Sequence, residues 1–177
     1  GEVWIRLGSY GQARAELEAA KELASGDPVT TARVLTASAE LLFAEGRYSE
    51  ARTETEKAAA MLSRTTGPSS LDTIQAMVLR GRVIDGDADP IEAERVLRQA
   101  ADLLDRYHPD EGAARAEARI ELATVLRNQG RRIEGLDFLS DLLAGRVVIR
   151  ILAGGITQAD RDLSQPAMGL LKVVCQG

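Results

Sequence analysis

Few residues of this 177-residue chain have the type and setting to do chemistry. His108 is the single histidine, so any histidine-based triad must be built around it. No serine or cysteine sits in a G-x-S-x-G or comparable nucleophile setting. A loop histidine ahead of Pro109 reads as a turn residue rather than a general base. The run Asp85-Gly86-Asp87-Ala88-Asp89 alternates carboxylates as the start of a calcium loop does. Such a loop needs glycine at its sixth position and a bidentate glutamate at its twelfth, where Pro90 and Val96 stand. It reads instead as a solvated turn with an aspartate capping the next helix. Neither G-x-x-x-x-G-K-[ST] nor G-x-G-x-x-G occurs to cradle a phosphate. Cys175 is the lone cysteine, which excludes an intrachain disulfide and a multi-cysteine zinc site. The sequence predicts no enzymatic activity, no metal and no cofactor.

The elements that carry these residues are helical. Hydrophobic residues make up 45% of the chain and charged residues 28%, ordinary for a globular domain, while aromatics are only 3%. Abundant alanine and leucine suit a core of closely packed helices, alanine having the highest helix propensity. Strand formers cluster only over Val147 to Leu152. The net charge of −5 argues against a nucleic-acid binder, which carries a basic face. No apolar run reaches the roughly 18–20 residues of a membrane span, and no signal peptide opens the chain, so a cytoplasmic location is expected. Lysine occurs only at positions 21, 57 and 172, an arginine bias that hints at a GC-rich bacterial genome. The chain enters in mid-pattern without a methionine, which points to a piece of a longer protein.

That pattern is periodic. A small residue followed four and seven residues later by further core residues recurs as Ala13/Leu17/Ala20, Ala51/Thr55/Ala58, Ala93/Leu97/Ala100 and Gly135/Leu139/Leu142. Successive sets are 38, 42 and 42 residues apart. Five residues before each small residue stands a glycine that ends the preceding helix, at Gly8, Gly46 and Gly130, with Ala88 the exception. Tyr10 and Tyr48 follow two of these glycines, and Pro28, Pro68 and Pro109 mark the alternate turns. Asp27-Pro28 and Asp89-Pro90 read as N-cap and first helical residue. The predicted helices are a half-unit over Val3–Leu7 with Tyr10–Ala24, then Pro28–Glu45 with Tyr48–Leu62. Ser70–Ile84 with Pro90–Tyr107, and Asp110–Gln129 with Arg132–Leu143, complete the set. Each pair leaves an apolar flank that only a neighbouring pair can cover.

The small-x3-large pattern, the Gly-x-Tyr turn and Leu122-Ala123-x2-Leu126 together resemble tetratricopeptide repeats over residues 1–145. The 42-residue spacing, with His108-Pro109-Asp110 leading into the fourth unit, is most similar to the kinesin-light-chain-like repeats and their bacterial relatives. The resemblance implies an all-α fold, an α-solenoid of stacked antiparallel hairpins winding into a right-handed superhelix, with about three and a half repeats. Trp4 near the end of its short helix, Gly135 in place of alanine and Thr55 in an apolar slot depart from the family pattern. Residues 146–177 break the period and are expected to form a C-terminal cap or irregular tail.

A family of this kind binds a peptide or partner protein on the first helices of its hairpins. Stepping by 42 residues places Arg33, Gln75 and Glu117 in one column across that face, and Thr36, Val78 and Ile120 in the next. Glu40, Arg82 and Thr124 form a third column, and Phe43, Asp85 and Arg127 a fourth. Spacings of 3, 4 and 3 within one helix put all four on one stripe. The expected groove has Phe43, Val78 and Ile120 as apolar anchors and Arg82 and Arg127 as grips for acidic groups. The lysine and asparagine clamp by which some family members hold a C-terminal carboxylate is missing at the matching places. The leading expectation is a protein-interaction scaffold within a larger bacterial protein. One alternative is a peptide-sensing segment of a bacterial transcription regulator or kinase. Another is a cochaperone resembling J-domains through His108-Pro109-Asp110. The helix before that tripeptide argues against it, because Asp102 and Asp105 offset Arg95 and Arg98.

Overall fold

The computed structural model describes residues 8–24 and 26–138. The helices are α1 (Tyr10–Leu23), α2 (Pro28–Ala44), α3 (Tyr48–Thr65), α4 (Leu71–Gly86), α5 (Pro90–Tyr107) and α6 (Gly112–Asn128). A seventh helical stretch, α7, covers 132–138. The expected half-unit Val3–Leu7, Trp4, the end of the last hairpin and the segment 146–177 lie outside the described residues. Consecutive helices pack in antiparallel pairs, and the pairs stack side by side, as in a tetratricopeptide-type solenoid.

The turns show why the period holds. At the end of α2, Gly46 has φ 76° and its N–H donates to the Phe43 carbonyl at 3.0 Å, while Arg47 N–H donates to the Leu42 carbonyl at 2.9 Å. The end of α6 repeats this with Gly130 at φ 80° and bonds to Arg127 and Leu126 of 2.9 and 2.8 Å. These paired bonds close orphan carbonyls at a helix end and need one left-handed residue. Ala88, the exception to the glycine rule, adopts the same conformation with φ 63°, and its turn makes the same two bonds at 3.1 Å each. The backbone requirement therefore persists where glycine does not, at a cost of about 1 kcal/mol for the Cβ.

Helix starts follow the aspartates. Asp27 accepts from the N–H of Val29 and Thr30 at 3.2 and 3.1 Å, Asp89 accepts from Glu92 N–H at 3.3 Å, and prolines 28 and 90 open their helices. Pro68 and Pro109 sit in the turns a few residues ahead of α4 and α6 instead. Successive turns are also pinned across units. Ser49 Oγ donates to Asp87 at 2.8 Å, Gln129 Nε2 donates to the Pro90 carbonyl at 2.9 Å, and His108 Nε2 lies 2.7 Å from the Ser69 carbonyl.

The core follows the small-large pattern. Ala13, Ala51, Ala58, Ala93, Leu97 and Ala100 are all fully buried, so the second helices approach their partners closely. Gly135 continues this series for a steric reason, since a Cβ there would stand 3.0 Å from the Ala123 carbonyl oxygen. Thr55 is 1% exposed, and its hydroxyl donates to the Arg52 carbonyl at 2.8 Å, which satisfies it without a distant partner.

Candidate functional site

The first helices α2, α4 and α6 lie in sequence across one side of the stack and enclose a groove of about 410 Å³. Arg33, Thr36 and Glu40 of α2, Gln75 and Arg82 of α4, and Glu117 of α6 line it, which brings six of the twelve predicted positions together. Asp72, Ala76 and Leu79 of α4 and Leu62 of α3 complete much of the lining, and the column reading had not included them. Ile120 remains 37% exposed beside this groove on α6. Thr124 is half-buried, with its hydroxyl donating to the Ile120 carbonyl at 2.9 Å.

Two of the expected anchors are placed differently. Val78 is 5% exposed, packed in the core cluster with Ile74, Leu122 and Val125, so it supports the groove instead of presenting a side chain to a ligand. The cause is the packing of α4 on α5 and α6, whose apolar residues share one cluster with Val78. Phe43 is half-buried, edge-on to Tyr48 with ring centroids 5.4 Å apart, and the Arg82 guanidinium lies 5.1 Å above its ring.

Electrostatics decide which charges remain available. Arg33 pairs with Asp72 at 2.9 Å, tying α2 to α4, and Arg82 reaches Glu121 on α6 at 3.6 Å. Arg82 is thus held by a carboxylate and an aromatic face at once. Asp85 accepts from Asn128 Nδ2 at 3.1 Å. Arg127 is exposed, with a long 3.4 Å bond to the side-chain oxygen of neighbouring Asn128. On this face Glu40, Asp72, Asp85, Glu117 and Glu121 outnumber Arg33, Arg82 and Arg127. The balance is acidic.

Burial pushes the Glu121 carboxyl above its ordinary value, helped by Glu117 and Asp85 and opposed by Arg82. A raised folded-state pKa means that the charged form is penalised in the native state. That penalty is full above the raised value and disappears as pH falls towards the ordinary 4.5. Glu121→Gln is therefore expected to be more stable than the parent protein at pH 7. Urea midpoints of the two proteins should converge as pH is lowered towards 4.5. An advantage that grows with acidity would reject this account. Glu94 carries the opposite sign: burial raises it, but hydrogen bonds from Arg131, Arg98 and Gln129 outweigh that and hold it low.

His108 is half-buried and engaged with the Ser69 carbonyl, a link between neighbouring turns that needs no catalytic role. In the acidic run, Asp87 holds Ser49 and lies 3.5 Å from Arg52, and Asp89 caps α5. Among the described residues no group of three His, Cys, Asp or Glu side chains is placed to hold a metal ion. No described helix is long and apolar enough to cross a membrane.

Stacked hairpins with close-packed alanines and an open trough on their first helices define an α-solenoid. Residues 30–106 match the tetratricopeptide repeat family model. That stretch spans α2 to α5, and the helices on either side continue the same stacked arrangement. Two solved structures share the fold. One is BtubC (BKLC) from P. vanneervenii, 17% identical, with a TM-score of 0.70 over 98% of this chain and 69% of that one. The other is a putative kinesin light chain with nearly identical TPR-like repeats from Podosopora anserina, 18% identical, with a TM-score of 0.69 over 98% of this chain and 89% of that one. A comparison with curated proteins finds no match. The structural neighbours are thus kinesin-light-chain-like repeat proteins, as the 42-residue period suggested.

Proposed function

We propose that this protein is an interaction scaffold that binds a segment of a partner polypeptide along the groove of α2, α4 and α6. Tetratricopeptide repeat domains, the family model matched over residues 30–106, generally serve protein–protein interaction and are typically non-catalytic. The observation that carries the reading is the groove itself, a trough with an exposed apolar residue, Ile120, beside carboxylates and guanidiniums from three helices. Its acidic balance favours a segment with more basic than acidic side chains, Glu117 being the exposed carboxylate of the first column. Arg127, exposed in the fourth column, is the grip left for an acidic group, because Arg82 is committed to Glu121 and Phe43. A bacterial cytoplasm is the proposed setting, supported by the arginine bias and by a single cysteine that asks for no oxidising compartment.

The experiment is affinity capture with Glu117→Lys/Ile120→Asp. Both side chains are exposed, so helical circular dichroism should be unchanged while partner recovery falls at least about tenfold, the scale of a reversed charge plus a lost apolar contact. Recovery equal to that of the parent protein would remove the groove from consideration. Arg82→Glu is a poorer probe, since it places a second carboxylate against the half-buried Glu121.

A further inference from the structure

On the other side of the array, the second helices α1 and α3 leave a cavity of about 450 Å³ over α2. Ser38, Leu41 and Leu42 of α2 and Leu17 of α1 line it, with Glu18 of α1 and Glu50 of α3 among the charged residues at its edge. Ser38 is 7% exposed, and its hydroxyl has no hydrogen-bond partner.

The repeat register explains this cavity. Steps of 42 residues from Ser38 lead to Arg80 and then to Leu122. Leu122 is fully buried, the apolar solution to this position. Arg80 is the charged solution: its guanidinium lies 3.6 Å from Glu56 on α3 and 3.7 Å from Glu92 on α5. Those two glutamates step back by the unit spacings of 38 and 42 to Glu18 and Glu50, the same pair that edges the cavity at Ser38. The first slot therefore keeps the carboxylates that flank an arginine in the second, but has a serine where the arginine would start.

The two slots differ in what rises from the first helix, Arg80 in one and Ser38 in the other. In the filled slot Glu56 also lies 3.7 Å from Arg52 and Glu92 lies 2.7 Å from Arg95, so each carboxylate serves a surface cation and the slot arginine together. In the open slot Lys21 and Arg47, which also line the cavity, pair with Glu18 and Glu50 at 2.8 and 2.6 Å. These pairs are largely exposed and exchange readily. Of the remaining charges, Arg14 and Arg47 both pair with Glu45, and Glu54 pairs with Lys57, so the lining carries four carboxylates against three cations.

We propose that this cavity receives an arginine side chain from a partner polypeptide, with the guanidinium between Glu18 and Glu50 and the methylene stem along Leu17 and Leu41. A planar guanidinium can reach carboxylates on two helices and still donate to the Ser38 hydroxyl, which a compact ammonium does less well. The site lies on the opposite side from the groove and stands independently of it.

The test uses N-acetyl-arginine N-methylamide as probe, followed by backbone amide shifts in NMR. Saturable shifts at Ser38, Glu18 and Glu50 are expected. The matching citrulline compound, neutral and of similar shape, should bind at least about tenfold more weakly, because charge-assisted hydrogen bonds are roughly twice as strong as neutral ones. Ser38→Arg should supply the missing side chain from within and abolish the response. Glu18→Gln/Glu50→Gln, which leaves the core untouched, should weaken it at least about tenfold on the same grounds. Equal responses to arginine and citrulline, or undiminished binding in the glutamine variant, would overturn the proposal. Binding of free arginine but not of the blocked probe would overturn its polypeptide source.

Discussion

Gly81→Ala is expected to destabilise the parent protein and to stabilise a Leu97→Ala variant, a reversal of sign at one position. Gly81 is in the interior of α4, where alanine is normally favoured over glycine by about 0.8–1 kcal/mol. A Cβ built there would meet Leu97 Cγ at 2.5 Å and Cδ2 at 2.7 Å. Leu97 is fully buried and has no free space to retreat into, so overpacking of about 1–3 kcal/mol outweighs the propensity gain. The net loss should be about 1 kcal/mol. Leu97→Ala alone should cost about 2–5 kcal/mol through lost burial and the cavity left behind. In that background the added methyl at position 81 meets open space, and the double variant should regain about 1 kcal/mol. Urea unfolding of the four proteins gives the coupling energy directly, and additive effects would show that α4 and α5 do not interlock here. The register supplies a natural control, because one unit earlier the equivalent residues are Ala39 and Thr55. A smaller partner there coincides with a larger residue opposite.

The same register shows what was legible in the sequence and why. Helix ends marked by a backbone requirement could be read directly, because left-handed glycines and capping aspartates leave their own residue types behind. Ala88 hid one such end by meeting the requirement without the usual residue. The end of α3 was placed at Leu62 because the apolar pattern stops there. The helix runs on to Thr65, where the Thr65 and Thr66 hydroxyls donate to the Met61 and Leu62 carbonyls at 2.9 Å each. On the candidate groove, period alone aligned columns correctly enough to bring Arg33, Gln75 and Glu117 together. It does not show which positions of a first helix pack on the next unit, so Val78 reads as an anchor although it is buried in the cluster shared by α4, α5 and α6. Nor could it show that Arg82 is engaged by Phe43 from one helix and Glu121 from another. Pairings across units depend on rotation between hairpins, which a one-helix stripe does not encode. Ser38 and Arg80 carry no mark in the sequence, because the carboxylates around them come from two other helices.

Unequal packing along the stack leads to the last expectation, that amides of α1 exchange with solvent at least about 100-fold faster than those in the interiors of α4, α5 and α6. Solenoid stability is close to a sum of unit and interface contributions, so a weakly packed unit opens without the rest. The α4–α6 region shares one continuous cluster built on Ile74, Ile84, Leu97, Leu104, Leu122 and Leu126. The cluster that holds α1 rests on Leu17, Val34 and Leu41 with two alanines. At about 25 cal/mol per Å² of apolar surface, exchanging leucines for alanines removes a few kcal/mol of local protection, and each 1.4 kcal/mol is tenfold in exchange rate. Hydrogen exchange resolved by residue would measure this, and uniform protection from α1 to α6 would contradict it. The gradient also bears on the cavity at Ser38, whose walls come from α1, α2 and α3. A side chain seated there bridges α1 to α2 and α3, so ligand binding should slow exchange in α1 more than in α5. Through mass action, the occupied slot would then act as a clasp between α1 and the helices α2 and α3.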